Sequence, residues 1–398
     1  MRNRLVRIIV APDSYKGCLM AWDVAQAISL GIRAADPAAD IIELPLGDGG
    51  EGTARALACA VGGSRMVPAS VEDPLGRPVE AEFALLPGGT AVVEMASASG
   101  LGLLRPDERN PLRASSYGTG QLVSQALDLL FAAQDGGPTP TLILGVGGSA
   151  TVDGGMGMIG ALGARCTDHA GMDLSRRGGG ALARVQRVDL NGLDPRLGRV
   201  RLVLASDVSN PLLGPNGAAE IFGPQKGAGP GEVAALERGL AHLSDVVRRQ
   251  TGRMIEGFAG AGAAGGVGGA AVGILGAERY PGIELALEIV GFRPLAAGAD
   301  LVITGEGRYD AQTLGGKAVA GVAAAAAELG IPVCVLAGEV DESAEWRLPG
   351  RVVVWSIAGG PLTRQQSEAE AARLIAAAAR RVVALFAIGR LGRRQGAG

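Results

Sequence analysis

Lysine is nearly missing from this chain: Lys16, Lys226 and Lys317 stand against 34 arginines in 398 residues. Each of the three adjoins a glycine. Where arginine serves almost everywhere, a retained lysine marks a place that needs a compact, mobile ammonium, because the two are not equivalent at phosphates or as catalytic groups. Histidine is scarcer still. His169 and His242 alone make a His-rich metal site or a His-centred triad improbable. The four cysteines, Cys18, Cys59, Cys166 and Cys334, form no CxxC pair. They fit a reduced cytoplasmic chain with small buried thiols. No apolar run reaches the roughly 18 residues of a membrane span. The closest, 264–275, is interrupted by glycines and suits a buried helix. The opening MRNRLVRIIV is basic, but its apolar part is too short for a signal peptide. A net charge of −3 gives no reason to expect nucleic acid or an anionic membrane as partner. Any anion site must therefore be local. GxxxxGK[ST] is absent too: ahead of Gly316-Lys317, Ala311 takes the place of the first glycine, and Ala318 replaces the hydroxyl.

What the chain does have is glycine, 65 residues, about double the usual ~7%. The glycines are aperiodic and cluster at 47–52, 145–157, 260–269 and 305–316, where backbone can approach a ligand closely. With 47% apolar and 19% charged residues the chain is a folded one. Its length predicts two domains.

Apolar runs at 6–11 and 41–46 each lead through a polar turn into a helical pattern, which predicts parallel βαβα order. From residue 66 the texture becomes short strands broken by DPLGRP and PGG turns, an antiparallel pattern. Parallel α/β texture returns near residue 291. The expected fold is therefore α/β in two domains. A doubly wound, flavodoxin- or Rossmann-like parallel sheet comes from both chain ends (1–65 and 291–398). A mixed α/β domain (66–290) is inserted, with the active-site cleft between the two.

The stretch 301–317, LVITGEGRYDAQTLGGK, reads as a strand over 301–303, a charged loop and a helix start. Glu306, Arg308, Asp310 and Lys317 follow the strand end, where open parallel sheets bind ligands. Asp13, Ser14 and Lys16 lie in the turn PDSYKG, and helix capping is the plainer account there. In GDGGEGT, Asp48 and Glu51 are separated only by glycines and could hold Mg²⁺; capping is again the alternative. SSYGTG, with Gly118 and Gly120, opens a helix as either an anion nest or a cap. In VGGSATVDGG the amides of Gly147, Gly148 and Ser149, with the hydroxyls of Ser149 and Thr151, form a possible cradle for phosphate or carboxylate. Asp207 falls just past the strand 200–206.

Taken in order, APDSYKG, GDGGEGT, DPLGRP, EMASASGL, YGTG, GGSATVDGG, SDVSNPL, FGPQKGA, GAGAAGG and GADLVITGEGRYDAQTLGGK span most of the chain. Together they resemble the bacterial class I glycerate kinase family. Val152, Gly47, Ser206 and Tyr15 stand where that family has Asn, Ala, Cys and Phe, and none of these changes removes a charged group. The resemblance implies ATP-dependent phosphorylation of D-glycerate with Mg²⁺, on two α/β domains, leaning toward the 2-hydroxyl. On this reading Asp48, Asp207 and Glu306 face the cleft. One or two of them bind Mg²⁺, and one orients or deprotonates the attacking hydroxyl, with Asp310 in reserve. Lys16, Lys226 and Lys317 neutralise phosphate charge, and Arg308 grips the glycerate carboxylate unless it is merely paired with Asp310. Asp13 and Ser14 line the substrate site. Gly49, Gly50, Gly305 and Gly307, with Gly118 and Gly120, let backbone approach ATP. A monomer or a homodimer fits equally. The alternatives are a kinase of another small hydroxy acid or sugar acid, a nicotinamide dehydrogenase, and a non-catalytic metabolite sensor.

Overall fold

The computed structural model describes residues 5–132, 137–311, 313, 318–341 and 348–395. Among them are thirteen strands: β1 (Arg7–Val10), β2 (Asp40–Glu43), β3 (Arg65–Glu72), β4 (Pro78–Leu86), β5 (Thr90–Glu94), β6 (Thr141–Gly145), β7 (Arg165–Thr167), β8 (Arg187–Asp189), β9 (Arg201–Ala205), β10 (Glu278–Tyr280), β11 (Leu301–Tyr309), β12 (Val333–Val340) and β13 (Val352–Ser356). The chain divides into two compact units. One holds the residues up to Asp48, Cys59–Val61 and those from Ile283 on; the other holds Gly49–Ala58 and Gly62–Gly282.

The first unit carries a five-stranded, all-parallel sheet in the order β13-β12-β11-β1-β2. Numbered within the sheet this is 2-1-3-4-5, and the order reverses between β1 and β11. Alternate residues divide the two faces. Ile8, Val10, Ile303 and Leu336 belong to one buried cluster with Val24, Ile28, Ile375 and Ala379, from the helices Ala21–Ala35 and Ala371–Gln395. These helices meet closely at Gly31, where a Cβ would lie 2.2 Å from the Ala376 carbonyl oxygen. The intervening Ile9, Val302 and Val335 are equally buried, and helix Ala318–Glu328 packs on β11. Such two-sided burial explains why these strands read as unbroken apolar runs.

One expectation is corrected here. β11 does not end at Ile303 but continues to Tyr309, so Glu306 and Arg308 are strand residues rather than loop residues. β12 runs beside it throughout, with Glu306 opposite Ala337 and Arg308 opposite Glu339. Glycine permits the extension: at Gly305 a Cβ would lie 2.5 Å from the Leu336 carbonyl oxygen.

The second unit is built on a mixed sheet in the order β10-β9-β6-β5-β4-β3. β3, β4 and β5 pair antiparallel, while β5, β6, β9 and β10 run parallel. Phe83, Val93, Leu144 and Leu204 join Leu122, Leu127, Leu236 and Leu243 in its core. The long helix Pro230–Thr251 begins with Pro at its first turn and the Gly229 N–H donating to Glu232 at 2.8 Å, and stops at Gly252 (φ 70°). Gly49–Ala58 goes with this unit, although the sequence places residues up to 65 with the terminal sheet. Glu94 accepts the N–H groups of Gly52 (3.0 Å) and Ala54, and the Gly147 N–H donates to the Gly49 carbonyl at 3.1 Å. The cysteines are all free, but only Cys166 and Cys334 are buried; Cys18 is half-buried and Cys59 exposed.

Candidate active site

In the first unit the turn after β1 continues alongside β11. The Ala11 N–H donates to the Ile303 carbonyl and the Asp13 N–H to the Gly305 carbonyl, both at 2.9 Å. The Tyr15 hydroxyl anchors the turn by donating to the Leu336 carbonyl at 2.8 Å. Asp13 is thereby fixed, buried, at the end of β1, where its Oδ1 accepts the Ser14 N–H at 2.6 Å. Burial and then the nearby Asp48 charge raise its carboxyl to about 7; the Ser14 N–H and Lys16 act in the opposite sense. Asp13, Ser14, Lys16, Glu306, Gly307, Arg308 and Asp310 line one cavity of about 690 Å³, with Glu339 and Arg364 on its rim. It opens beside β1 and β11, at the reversal of strand order, where α/β sheets hold their ligands. Arg308 is more than half exposed and lies 3.4 Å from Asp310 and 3.7 Å from Glu339. That is the surface pairing which competed with carboxylate binding as an account of this residue.

In the second unit the carboxyl ends of β5, β6 and β9 are layered with glycine. At Gly49 a Cβ would lie 2.9 Å from the Ala205 carbonyl oxygen, and at Gly147 one would lie 2.6 Å from the Gly50 Cα. Gly148 needs its positive φ of 72°. Lys226 is almost wholly buried, and its Nζ donates to the Ser149 hydroxyl and the Thr151 carbonyl, each at 2.8 Å. Loss of hydration lowers its ammonium to about 7, against a partly compensating attraction from Asp153. Asp153 is itself saturated by the N–H and hydroxyl of Ser116 and the N–H groups of Gly155 and Gly157. Asp207, past the end of β9, accepts the Gly282 N–H at 2.8 Å.

Two gatherings thus emerge from the sequence-derived set. Asp13, Ser14, Lys16, Glu306, Arg308 and Asp310 share the cavity, with Asp48 beside Asp13. Gly49, Gly50, Gly147, Ser149, Thr151 and Lys226 share the glycine layer. Lys317 lies outside the described residues. Among the described residues no three His, Cys, Asp or Glu side chains converge as a metal-ligand set. The site chemistry still suits Mg²⁺, which takes one or two carboxylates and completes its shell with phosphate and water oxygens. Asp48, whose charge reaches Asp13, and Glu306, which lines the cavity, would offer such carboxylates.

Gly118 and Gly120 have a different setting. In helix Tyr117–Ala132 a Cβ on Gly118 would lie 1.9 Å from the Glu72 carbonyl oxygen, and one on Gly120 2.3 Å from that of Met158. The neighbouring hydroxyls are bonded internally, Ser115 to the Ser175 carbonyl and Thr119 to Ser99. Gly118→Ala should therefore cost about 1–3 kcal/mol of stability by overpacking, read as a fall in the urea midpoint. A rise in the KM for ATP at unchanged midpoint would instead return Gly118 to a phosphate-binding role.

Glu94 escaped the sequence reading. It is buried at the end of β5 and pushed up to about 7, mainly by burial, while holding the start of helix Thr53–Ala60. A charged residue closing the apolar run TAVV was the available signal.

The fold is that of a two-unit α/β protein with a parallel sheet in one unit and a mixed sheet in the other. A sequence model described as the glycerate kinase family matches residues 8–387. Similar proteins include the glycerate kinase of Bacillus subtilis (strain 168), 43% identical over 95% of this chain and 97% of that protein. The glycerate 2-kinase of Escherichia coli (strain K12) is 41% identical over 96% and 99%. A crystal structure described as a glycerate kinase 2 from Salmonella typhimurium LT2 superposes with a TM-score of 0.83 at 40% identity, covering 97% of this chain and 99% of that one. The chain belongs to the glycerate kinase family, and is thus a phosphotransferase with a hydroxyl group as acceptor. No described helix is long and apolar enough to cross a membrane.

Proposed function

We propose that this protein transfers the γ-phosphoryl group of ATP to D-glycerate, at the 2-hydroxyl, with Mg²⁺. The observation that carries the reading is the cavity of the first unit, which sets acids and cations side by side at the reversal of a parallel sheet in a chain of this family. Direct transfer needs no covalent enzyme intermediate. The substrate oxygen bonds to the γ-phosphorus, the bond to the ADP oxygen breaks, and the hydroxyl proton passes to a carboxylate. Catalysis is then mainly positioning and charge stabilisation. Asp13, buried and held by its turn, is the carboxylate we place at that proton. Lys16, exposed to the cavity, is the cation we place by the phosphates; for Lys317 the same role rests on the sequence alone. Asp48 and Glu306 are the acids of the first unit suited to Mg²⁺, and Asp207 that of the second. Mg²⁺ would neutralise charge on the phosphate oxygens.

A coupled assay of ADP release over a panel of small hydroxy acids and sugar acids tests the proposal. D-glycerate should give the highest kcat/KM, and NMR of the product should show 2-phosphoglycerate. Preference for another acid would move the protein to a different substrate. A 3-phosphoglycerate product would overturn the position assigned.

A further inference from the structure

We propose that the nucleoside half of ATP lies in the first unit's cavity at its β13 end, with the base against Ala358 and Leu362 and the ribose beside Cys18 and Glu368. The proposal rests on the reading of this protein as a glycerate kinase and adds the place that holds the donor nucleotide.

The sheet sets the length of the site. Its five strands are parallel, so the segments that leave β1, β11, β12 and β13 emerge on one edge. All four contribute to one cavity of about 690 Å³, a size common among small-molecule sites. In the order β13-β12-β11-β1 the outer two strands are three spacings apart, about 14 Å at the usual distance between neighbours. That span suits a nucleoside triphosphate laid out from γ-phosphorus to base, whereas glycerate alone would occupy only part of it.

Charge is distributed unevenly along the span. Asp13 and Lys16 stand at the β1 end, with Glu306, Arg308 and Asp310 on and just past β11. At the β13 end the lining includes Ile357, Ala358, Gly360, Pro361 and Leu362, a run without charge. The charged residues that follow it, Arg364 and Glu368, pair with each other at 2.7 Å. The polyphosphate therefore belongs at the first end and the base at the second, where apolar surface is covered and no phosphate charge is buried unmatched.

The sheet also holds the apolar wall in place. The Ile357 N–H donates to the Ala337 carbonyl at 2.9 Å, which carries the β12–β13 pairing one residue past Ser356, and the Ile357 side chain is buried. Gly307 and Gly338, on the strands between the two ends, carry no side chain to divide the cavity. Leu362 is a large apolar side chain left exposed in the lining. The half-buried Cys18 belongs to the same end, because its thiol donates to the Glu368 carbonyl at 3.3 Å.

Cys18 makes the site readable without turnover. Cys166 and Cys334 are buried and Cys59 is exposed, so Cys59→Ser leaves Cys18 as the thiol open to iodoacetamide. Labelling is followed by mass spectrometry at alkaline pH, since burial raises the Cys18 thiol. At ten times its calorimetric dissociation constant ADP should slow the labelling of Cys18 about tenfold, as mass action requires, and tripolyphosphate at the same multiple should change it by less than about twofold. In steady-state kinetics Leu362→Ala should raise the KM for ATP about 5–10-fold through lost apolar contact and leave the KM for glycerate within about twofold. Leu362→Met should restore the KM for ATP, because it keeps the volume. Both variants should keep the urea midpoint, the position being an exposed one. ADP that binds without protecting Cys18 overturns the proposal, and so does equal protection by tripolyphosphate. An unchanged KM for ATP in Leu362→Ala, or a rise confined to glycerate, overturns it as well. If ADP does not bind, the functional reading falls and the proposal with it. If ADP binds and protects Cys18 but glycerate elicits no ADP release, the nucleotide site stands and the acceptor assigned to this protein is wrong.

Discussion

Asparagine in place of Asp13 is expected to lower kcat roughly 10²–10⁴-fold, the usual contribution of a positioned proton acceptor, with the urea midpoint unchanged or slightly raised. The position of Asp13 follows from the sheet. β1 ends at Val10, β11 continues past it, and the segment after β1 is held to β11 through the Ala11 and Asp13 amides. The carboxylate is thus buried on a rigid support and still lines the cavity. Asparagine keeps the Oδ1 that accepts the Ser14 N–H, so the turn should survive. It also removes one of two neighbouring negative charges, since Asp48 acts on Asp13. What is lost is the ability to take a proton. Coupled ADP release and urea unfolding on the same preparation check both halves of the expectation. A kcat within about threefold of the unaltered enzyme would reduce Asp13 to a cap of its turn and pass the proton to Asp310 or Glu306.

The sheet of the first unit was legible in the sequence because two-sided burial writes itself as apolar runs of strand length, at 6–11 and 301–303. The extension of β11 was not. Glu306 and Arg308 carry charges, Gly305 and Gly307 lack side chains, and such a string resembles a loop unless the partner strand is known. β12 supplies that partner out to Val340. The glycine strings were legible as places of close approach but not by what approaches. Gly147 meets Gly50, whereas Gly118 meets a carbonyl of its own unit's strand β3. The lysine scarcity singled out Lys226 without revealing that its ammonium is enclosed.

Lys226→Met should produce a stability difference that depends on pH, and the direction follows from linkage. The Lys226 ammonium is lowered to about 7 in the folded protein, whereas an unfolded chain keeps it near 10.4. Between these values the unfolded chain binds more protons, so the stability of the unaltered protein rises with pH there. Below about 7 both states are charged, and the full cost of an enclosed ammonium is borne. Methionine has no such cost at any pH and fills similar volume. It leaves the Ser149 hydroxyl and the Thr151 carbonyl without the lysine donor, a pH-independent loss. Asp153, the charged group acting on Lys226, keeps its donors from Ser116, Gly155 and Gly157. In urea unfolding at pH 6 and pH 9, the unaltered protein should therefore gain about 2–3 kcal/mol on the variant between the two values, near the limit of ~1.4 kcal/mol per pH unit set by one proton. The gain should lie above pH 7. A difference that stays constant from pH 6 to pH 9 would mean that Lys226 titrates as an ordinary lysine. Its ammonium would then reach solvent or a bound anion, and its role would shift from holding the Ser149–Thr151 loop to direct contact with phosphate.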